Sequence, residues 1–166
     1  MTATALVTSD AAEFAGALPQ RGRLLGLDIG TRGIGLATAS ADWRFATARQ
    51  TLKRGKASAD LAQLAELVRH EDIVGIVVGL PLSMDGSDSS RTQSVRAQAR
   101  NLARQLLRPV LLWDERWSTV AVERAMIAAD VSRAKRAQRV DALAAAHILE
   151  GACARLVRLA ERAADV

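Results

Sequence analysis

The sequence predicts an α/β fold, a five-stranded mixed sheet with helices on both faces, and three observations predict it. Two apolar segments, LLGLDI and GIGLATA, follow one another across the short turn GTRG, as two paired strands do. A β-branched run, IVGIVVGL, is bounded by Asp72 and Pro81 and reads as a strand buried on both faces, hence parallel to its neighbours. Around and after that run, apolar residues recur at helical spacing, so helices alternate with strands through the second half of the chain.

Taken in order, residues 1–22 read as a flexible N-terminal extension, with a short helix from about Ser9 to Ala17 capped by Ser9. The core starts at Leu24 with the two strands above. FATARQT, after a turn near Asp42, is a third strand. A helix starting at Ser58 presents Leu61, Leu64, Leu67 and Val68 on one face. After IVGIVVGL comes the polar loop PLSMDGSDSS. A helix from Arg91 to Leu107 follows, with Val95, Ala99, Leu102 and Leu106 turned inward, ended by Pro109. VLLW is a short buried strand that runs into Asp114 and Glu115. Helices are expected at 118–129 and, after the loop DVSRAKRA, from about Gln138 to Arg162. The 166 residues suit one domain, expected over 23–162, and show no internal repeat.

About half of the residues are apolar and a quarter charged, a balance that fits a soluble globular protein rather than a disordered one. No apolar run approaches the roughly 18 residues of a membrane span. The first residues lack the basic and apolar regions of a secretory signal. Cys153 is the single cysteine, which excludes an internal disulfide and suits a cytoplasmic protein. The net charge of +5 favours a polyanionic partner such as nucleic acid, although many small basic proteins have none.

Three carboxylates stand out. Asp28 lies inside the first apolar strand, where an acid is costly unless something pairs with it. Glu115 follows the strand VLLW, and Asp141 opens the last expected helix. Oxygen ligands suit Mg²⁺ or Mn²⁺, and two such ions about 4 Å apart serve phosphodiester hydrolysis, with Asp28 as the bridging ligand. Plainer readings stay open for two of them: Glu115 in a surface ion pair with Arg116, and Asp141 as a first-turn acid that complements the helix dipole.

Gly30, Gly33 and Gly35 crowd the turn after Asp28. They permit positive φ or a close approach of phosphate to the backbone, with Thr31 adding a hydroxyl, or they serve an ordinary hairpin. Arg96, Arg100, Arg104 and Arg108 form a stripe on one helix, more simply read as a solvated face. Arg133, Lys135, Arg136 and Arg139 cluster just before Asp141 and are read as contacts to a phosphate backbone. Aromatic stacking looks minor, since the chain has no Tyr and Trp43, Phe45, Trp113 and Trp117 suit packing equally well. His70 and His147 lack the spacing of a zinc site. Ser83, Ser118 and Cys153 lack the matched His and acid of a nucleophilic site.

LLGLDIGTRGIGLATAS, IVVGLPLSMDGSDSSRTQSVRAQA, DERWST and RVDALAAAHIL, in that order, resemble the YqgF/RuvX family, described both as Holliday junction resolvases and as pre-16S rRNA nucleases. The resemblance runs from about Leu24 to Leu149. It implies an RNase H-like fold, acidic catalytic and metal positions at Asp28, Glu115 and Asp141, and Thr31, Arg32 and Arg116 among the substrate contacts. Two departures bear on those contacts: Arg32 is followed by Gly33 where the family commonly carries a second base, and Trp117 stands where Leu is usual.

The resemblance implies trimming of the 5′ end of 16S rRNA, or resolution of four-way DNA junctions by the same chemistry on another substrate. DIGTRGIG also looks like the first phosphate motif of actin-like sugar kinases, but those need a second such domain, for which this chain is too short. A non-catalytic nucleic-acid-binding module is the remaining alternative, and the presence of all three acids argues against it. Monomer and homodimer both stay open.

Overall fold

The chain, seen in a computed structural model, is described for residues 5–19, 22–116 and 133–165, with the backbone alone for 133–140. In those residues the order is β1 (Val7–Thr8), α1 (Ala11–Gly16), β2 (Arg23–Ile29), β3 (Gly33–Ala39), β4 (Ala46–Lys53), α2 (Ala57–His70), β5 (Ile73–Leu80), α3 (Ser90–Leu106), β6 (Val110–Asp114) and α4 (Arg133–Ala164). The strands form one sheet in the order β1-β6-β5-β2-β3-β4. β2, β3 and β4 pair antiparallel, and β2, β5, β6 and β1 pair parallel. This is the mixed sheet the sequence predicts, with one strand more.

Side-chain alternation along β2 divides the core in two. Leu25, Leu27 and Ile29 face α2 and α3, where they join Leu64, Val68, Val95 and Leu102. Leu24 faces the other way, toward α1 and α4, with Phe14, Ile148, Leu149 and Leu156. The whole of β3 and nearly all of β5 are buried, as expected of strands covered on both faces. β4 is the free edge opposite β1 and is half exposed along its length.

The sixth strand corrects the expectation for residues 1–22. Val7 and Thr8 pair with Val110 and Leu111, and Phe14 is fully buried against α4, so residues 5–19 are part of the fold rather than a loose extension. A two-residue strand carries no periodicity to read. The cap of α1 is Asp10 rather than Ser9, because the Asp10 carboxylate accepts from the N–H of Ala12 at 2.9 Å and of Glu13 at 3.3 Å. Asp10→Ala is expected to cost about 1 kcal/mol, seen as a melting temperature lowered by roughly 2–4 °C. An unchanged melt would mean that this segment does not unfold with the rest.

α3 starts at Ser90 behind a capping box, in which Ser89 and Thr92 exchange side-chain and backbone hydrogen bonds. α4 starts at Arg133, so Arg133–Ala137, expected as loop, are helical. The helix expected at 118–129 lies outside the described residues. Among the described residues no helix is long and apolar enough to cross a membrane.

Candidate active site

Asp28 lies one residue from the end of β2, on the face that α4 covers, and is 5 % exposed. Its cross-strand partner on β3 is Gly35. On the other side, Leu27 pairs with Val78 of β5, and Gly79 comes next. Asp28 is thus flanked by glycines on both neighbouring strands, and the space their missing side chains leave is filled by the other two acids. A Cβ on Gly35 would lie 1.9 Å from the carbonyl oxygen of Asp141, and one on Gly33 would lie 3.2 Å from its Oδ2. A Cβ on Gly79 would lie 2.5 Å from Oε2 of Glu115.

This revises the sequence reading of the glycines. Gly30, Gly33 and Gly35 all keep ordinary negative or extended φ, since Gly86 is the positive-φ glycine among the described residues. The close approach they permit is that of helix α4, which brings Asp141 down beside Asp28. Asp141 sits in the third turn of α4, so it is not the first-turn acid that a helix-dipole role would need.

The turn itself is held by the N–H of Gly30 donating to Gly33 O at 2.9 Å. Arg54 pins it from outside: its guanidinium donates to Gly30 O at 2.9 Å and to Gln98 of α3 at 3.2 Å, and its N–H donates to Arg32 O at 3.0 Å. Thr31 and Arg32 stand exposed at the tip, beyond Asp28.

Glu115 is held by its own N–H donating to Leu80 O at 3.3 Å, and it is 9 % exposed. Its carboxyl is within hydrogen-bond reach of Asp28, yet its Oε2 is buried with no hydrogen-bond partner among the described residues. Burial, and then the charge of Asp28, push its pKa up to about 8. Burial also raises Asp28, against the opposing hydrogen bond from Glu115. Asp141, half-buried, is pushed up to about 6 by burial and then by the charge of Asp28. Without metal, therefore, the Asp28–Glu115 pair favours holding a proton between its two carboxyls, because two buried carboxylates in contact cannot both stay charged.

Among the described residues no three acid, histidine or cysteine side chains close on one point; Asp28 and Glu115 are in contact, and Asp141 joins them through charge. The donor set still fits a hard divalent cation: all oxygen, buried, with one orphaned carboxylate oxygen that a cation would satisfy. Such an ion competes with the Glu115 proton. The raised pKa stabilises the metal-free fold fully below the ordinary value of 4.5, and that contribution is lost as pH rises through about 8. Melting temperature without metal is expected to fall over that window. The rise on adding Mg²⁺ or Mn²⁺ is expected to be larger above it than at about pH 6. Thermal melts with and without metal check both, and Glu115→Gln should flatten both dependences; a metal effect independent of pH would contradict the assignment.

Arg116, expected among substrate contacts, is engaged within the fold. Its guanidinium donates twice to Asp114, at 2.7 Å and 2.9 Å, and to Met84 O at 3.1 Å, which ties the loop after β5 to the end of β6. The plain surface pair of Glu115 with Arg116 does not form, since Arg116 pairs with Asp114. Arg133, Lys135, Arg136 and Arg139 lie on the first turns of α4, upstream of Asp141, where the backbone alone is described. Of the expected stripe, Arg96 on α3 pairs with Asp88 and Arg104 donates to Asn101, whereas Arg108 lies past the end of α3, beyond the left-handed cap at Leu107, and donates to Ile73 O. Trp117 and Ser118 lie outside the described residues. Arg91, which in the sequence reads as no more than a helix start, bears electrostatically on all three acids.

A profile of the RuvX family, described as Holliday junction resolvase, matches residues 22–155. The chain belongs to the RuvX family. Similar relatives of this RuvX chain include a protein of Sphingopyxis alaskensis, 62 % identical over 153 residues, which cover 92 % of this chain and 100 % of the relative. A second, from Novosphingobium aromaticivorans, is 55 % identical over 147 residues, covering 89 % and 94 %. Both carry the name "Putative pre-16S rRNA nuclease". Among solved structures, RuvC of T. thermophilus in complex with a Holliday junction substrate superposes with a TM-score of 0.50 at 16 % identity, over 81 % of this chain and 96 % of that one. At that identity the likeness speaks for the RNase H-like fold alone.

Proposed function

We propose that this RuvX-family chain is a metal-dependent nuclease that hydrolyses phosphodiester bonds, and that its task is maturation of the 5′ end of 16S rRNA in the cytoplasm. The observation that carries the reading is the buried Asp28–Glu115 carboxyl pair with its orphaned Oε2, at the point where Asp141 enters. Asp28, Glu115 and Asp141 are proposed to hold two Mg²⁺ or Mn²⁺ ions. When bound, such ions supply an activated water and stabilise the leaving oxygen. The chain contributes the rest. The sheet fixes Asp28 rigidly, the Leu80 carbonyl aims Glu115, and the packing of α4 on Gly35 sets the position of Asp141. Thr31 and Arg32, exposed beyond Asp28, are proposed to meet substrate, and Arg133, Lys135, Arg136 and Arg139 its backbone. One nuclease domain, in which residues 5–19 take part beside the expected 23–162, carries all of these.

The RNA assignment is supported by the names of the relatives and by identity above half over nearly the whole chain. The family description favours a second reading, cleavage of four-way DNA junctions. Side-by-side cleavage of a pre-16S rRNA and a four-way junction in Mg²⁺ and in Mn²⁺, with sedimentation of the same sample, separates them. Symmetric nicking by a stable homodimer selects the junction, and trimming of the rRNA by a monomer selects the RNA. Cleavage of neither would leave a nucleic-acid-binding module.

A further inference from the structure

Besides the proposed metal ions, a cationic side chain of the protein beside the three acids would meet the phosphate brought to them. Arg91 is so placed. It is the second residue of the 17-residue α3, it is exposed, and among the described cations its charge is the one that acts on Asp28, Glu115 and Asp141 alike. Its location is built rather than incidental. The Thr92 hydroxyl donates to Pro81 O, fixing the start of α3 at the end of β5, one residue past the carbonyl of Leu80 that holds Glu115. Arg54 fixes α3 to the Gly30–Arg32 turn through Gln98 on the other side.

The residue type also runs against helix stability. α1 and α2 carry an acid in the first turn, Glu13 and Asp60, as the helix dipole favours, whereas α3, like α4, carries none and has Arg91 there instead. A guanidinium at a positive helix end is disfavoured by the helix and favoured by a bound anion. We propose that Arg91 contacts substrate, its guanidinium binding a non-bridging oxygen of the phosphodiester brought against the three carboxylates. The inference rests on the nuclease reading and adds to it a residue that reading does not use. In the hydrolysis, the water oxygen bonds to phosphorus, the bond from phosphorus to one ribose oxygen breaks, and that oxygen takes up a proton from the water. The guanidinium fork of Arg91 offsets charge gathering on the phosphoryl oxygens.

The test measures fluorescence anisotropy of a labelled single-stranded RNA across a salt series in metal-free buffer, where binding is read without cleavage. Wild type, Arg91→Ala, Arg91→Gln and Arg104→Ala are compared, with a thermal melt of each. Arg91→Ala and Arg91→Gln are expected to bind roughly 10-fold more weakly, with the log–log salt slope reduced by about 0.7, the loss of one phosphate contact. Arg104→Ala, at the far end of α3, should match wild type. In Mg²⁺ both Arg91 variants should also lose kcat/KM on the pre-rRNA. Wild-type affinity and slope in a folded Arg91 variant would overturn the proposal, whatever the melt shows; the glutamine variant reads the same if the alanine variant fails to fold. Absence of salt-dependent binding by the wild type would sink the nuclease reading itself, and Arg91 with it.

Discussion

Asp28→Asn is expected to lower kcat by ~10³-fold or more while leaving the protein at least as stable as wild type. The two halves of that expectation share one cause. Asp28 is a buried acid whose ionised form is opposed by burial and welcomed by a cation. Asparagine has the same shape without the charge, so the metal-free fold loses a liability. Burial still raises the pKa of Glu115 in the variant, but the added push from the Asp28 charge is gone, so the pH dependence of the metal-free melt should shrink. Metal-induced stabilisation should shrink too, since the proposed bridging ligand is gone. Cleavage rates in Mg²⁺ and Mn²⁺, set beside melting curves, check all of this. Normal cleavage by the variant would remove Asp28 from the metal site even if the nuclease activity stands.

Gly35→Ala is the second large effect, and it tests the architecture rather than the chemistry. The added methyl would meet the Asp141 carbonyl oxygen at 1.9 Å, its carbonyl carbon at 2.2 Å and the Ala142 nitrogen at 2.8 Å. All three belong to the backbone of α4, which cannot rotate aside as a side chain can. The helix must lift off β3 at this point. Overpacking of this kind costs about 1–3 kcal/mol or more, which is a melting temperature lower by roughly 2–12 °C. Asp141 moves with the helix, and a misplacement near 1 Å is worth about 10²-fold in rate. Gly16, where an added methyl would meet nothing within 4 Å, is the matched control and should tolerate alanine. Gly79→Ala is intermediate: it meets Oε2 of Glu115 and the Cδ1 of Ile148, both of which can swing away, so activity should suffer more than stability. A Gly35→Ala protein with wild-type melting and activity would mean that α4 does not sit on β3 in this way.

Much of this is legible in the chain. β2, β3 and β5 announce themselves because buried strands are continuous apolar runs, and the turn at Gly30 is bracketed by two of them. α3 is legible because Val95, Ala99, Leu102 and Leu106 repeat at helical spacing. What escapes has physical reasons. β1 is two residues long, and a parallel edge pairing leaves no pattern of its own. The first turns of α4 carry bases instead of a regular apolar face, so the pattern places the helix start later than Arg133.

In the candidate site, Asp28 is conspicuous because an acid in an apolar strand demands a partner. The purpose of the glycines is not, since sequence cannot distinguish a glycine that turns from one that lets a distant helix pass. The family resemblance offers Arg116 as a substrate contact, while in the fold its neighbour Asp114 takes its guanidinium. Arg91 is hidden in a serine-rich exposed stretch. The absence of an acid from the first turn of α3 is a weak signal for it, since α4 shares that absence.

The seating of α4 on β3 has a consequence for how the protein comes into being. Asp28 lies on β2 and Glu115 just past β6, both of which leave the ribosome before α4 is made, and Asp141 reaches them only when that helix closes over Gly33 and Gly35. A chain still being translated therefore has the sheet and two of the acids but not the third, and Phe14 and Leu24 have no cover on that face. Whatever the three carboxylates do together, the nascent chain cannot do it. An enzyme proposed to act on ribosomal RNA would thus stay inert toward the ribosome that is synthesising it, until its last helix is free to dock.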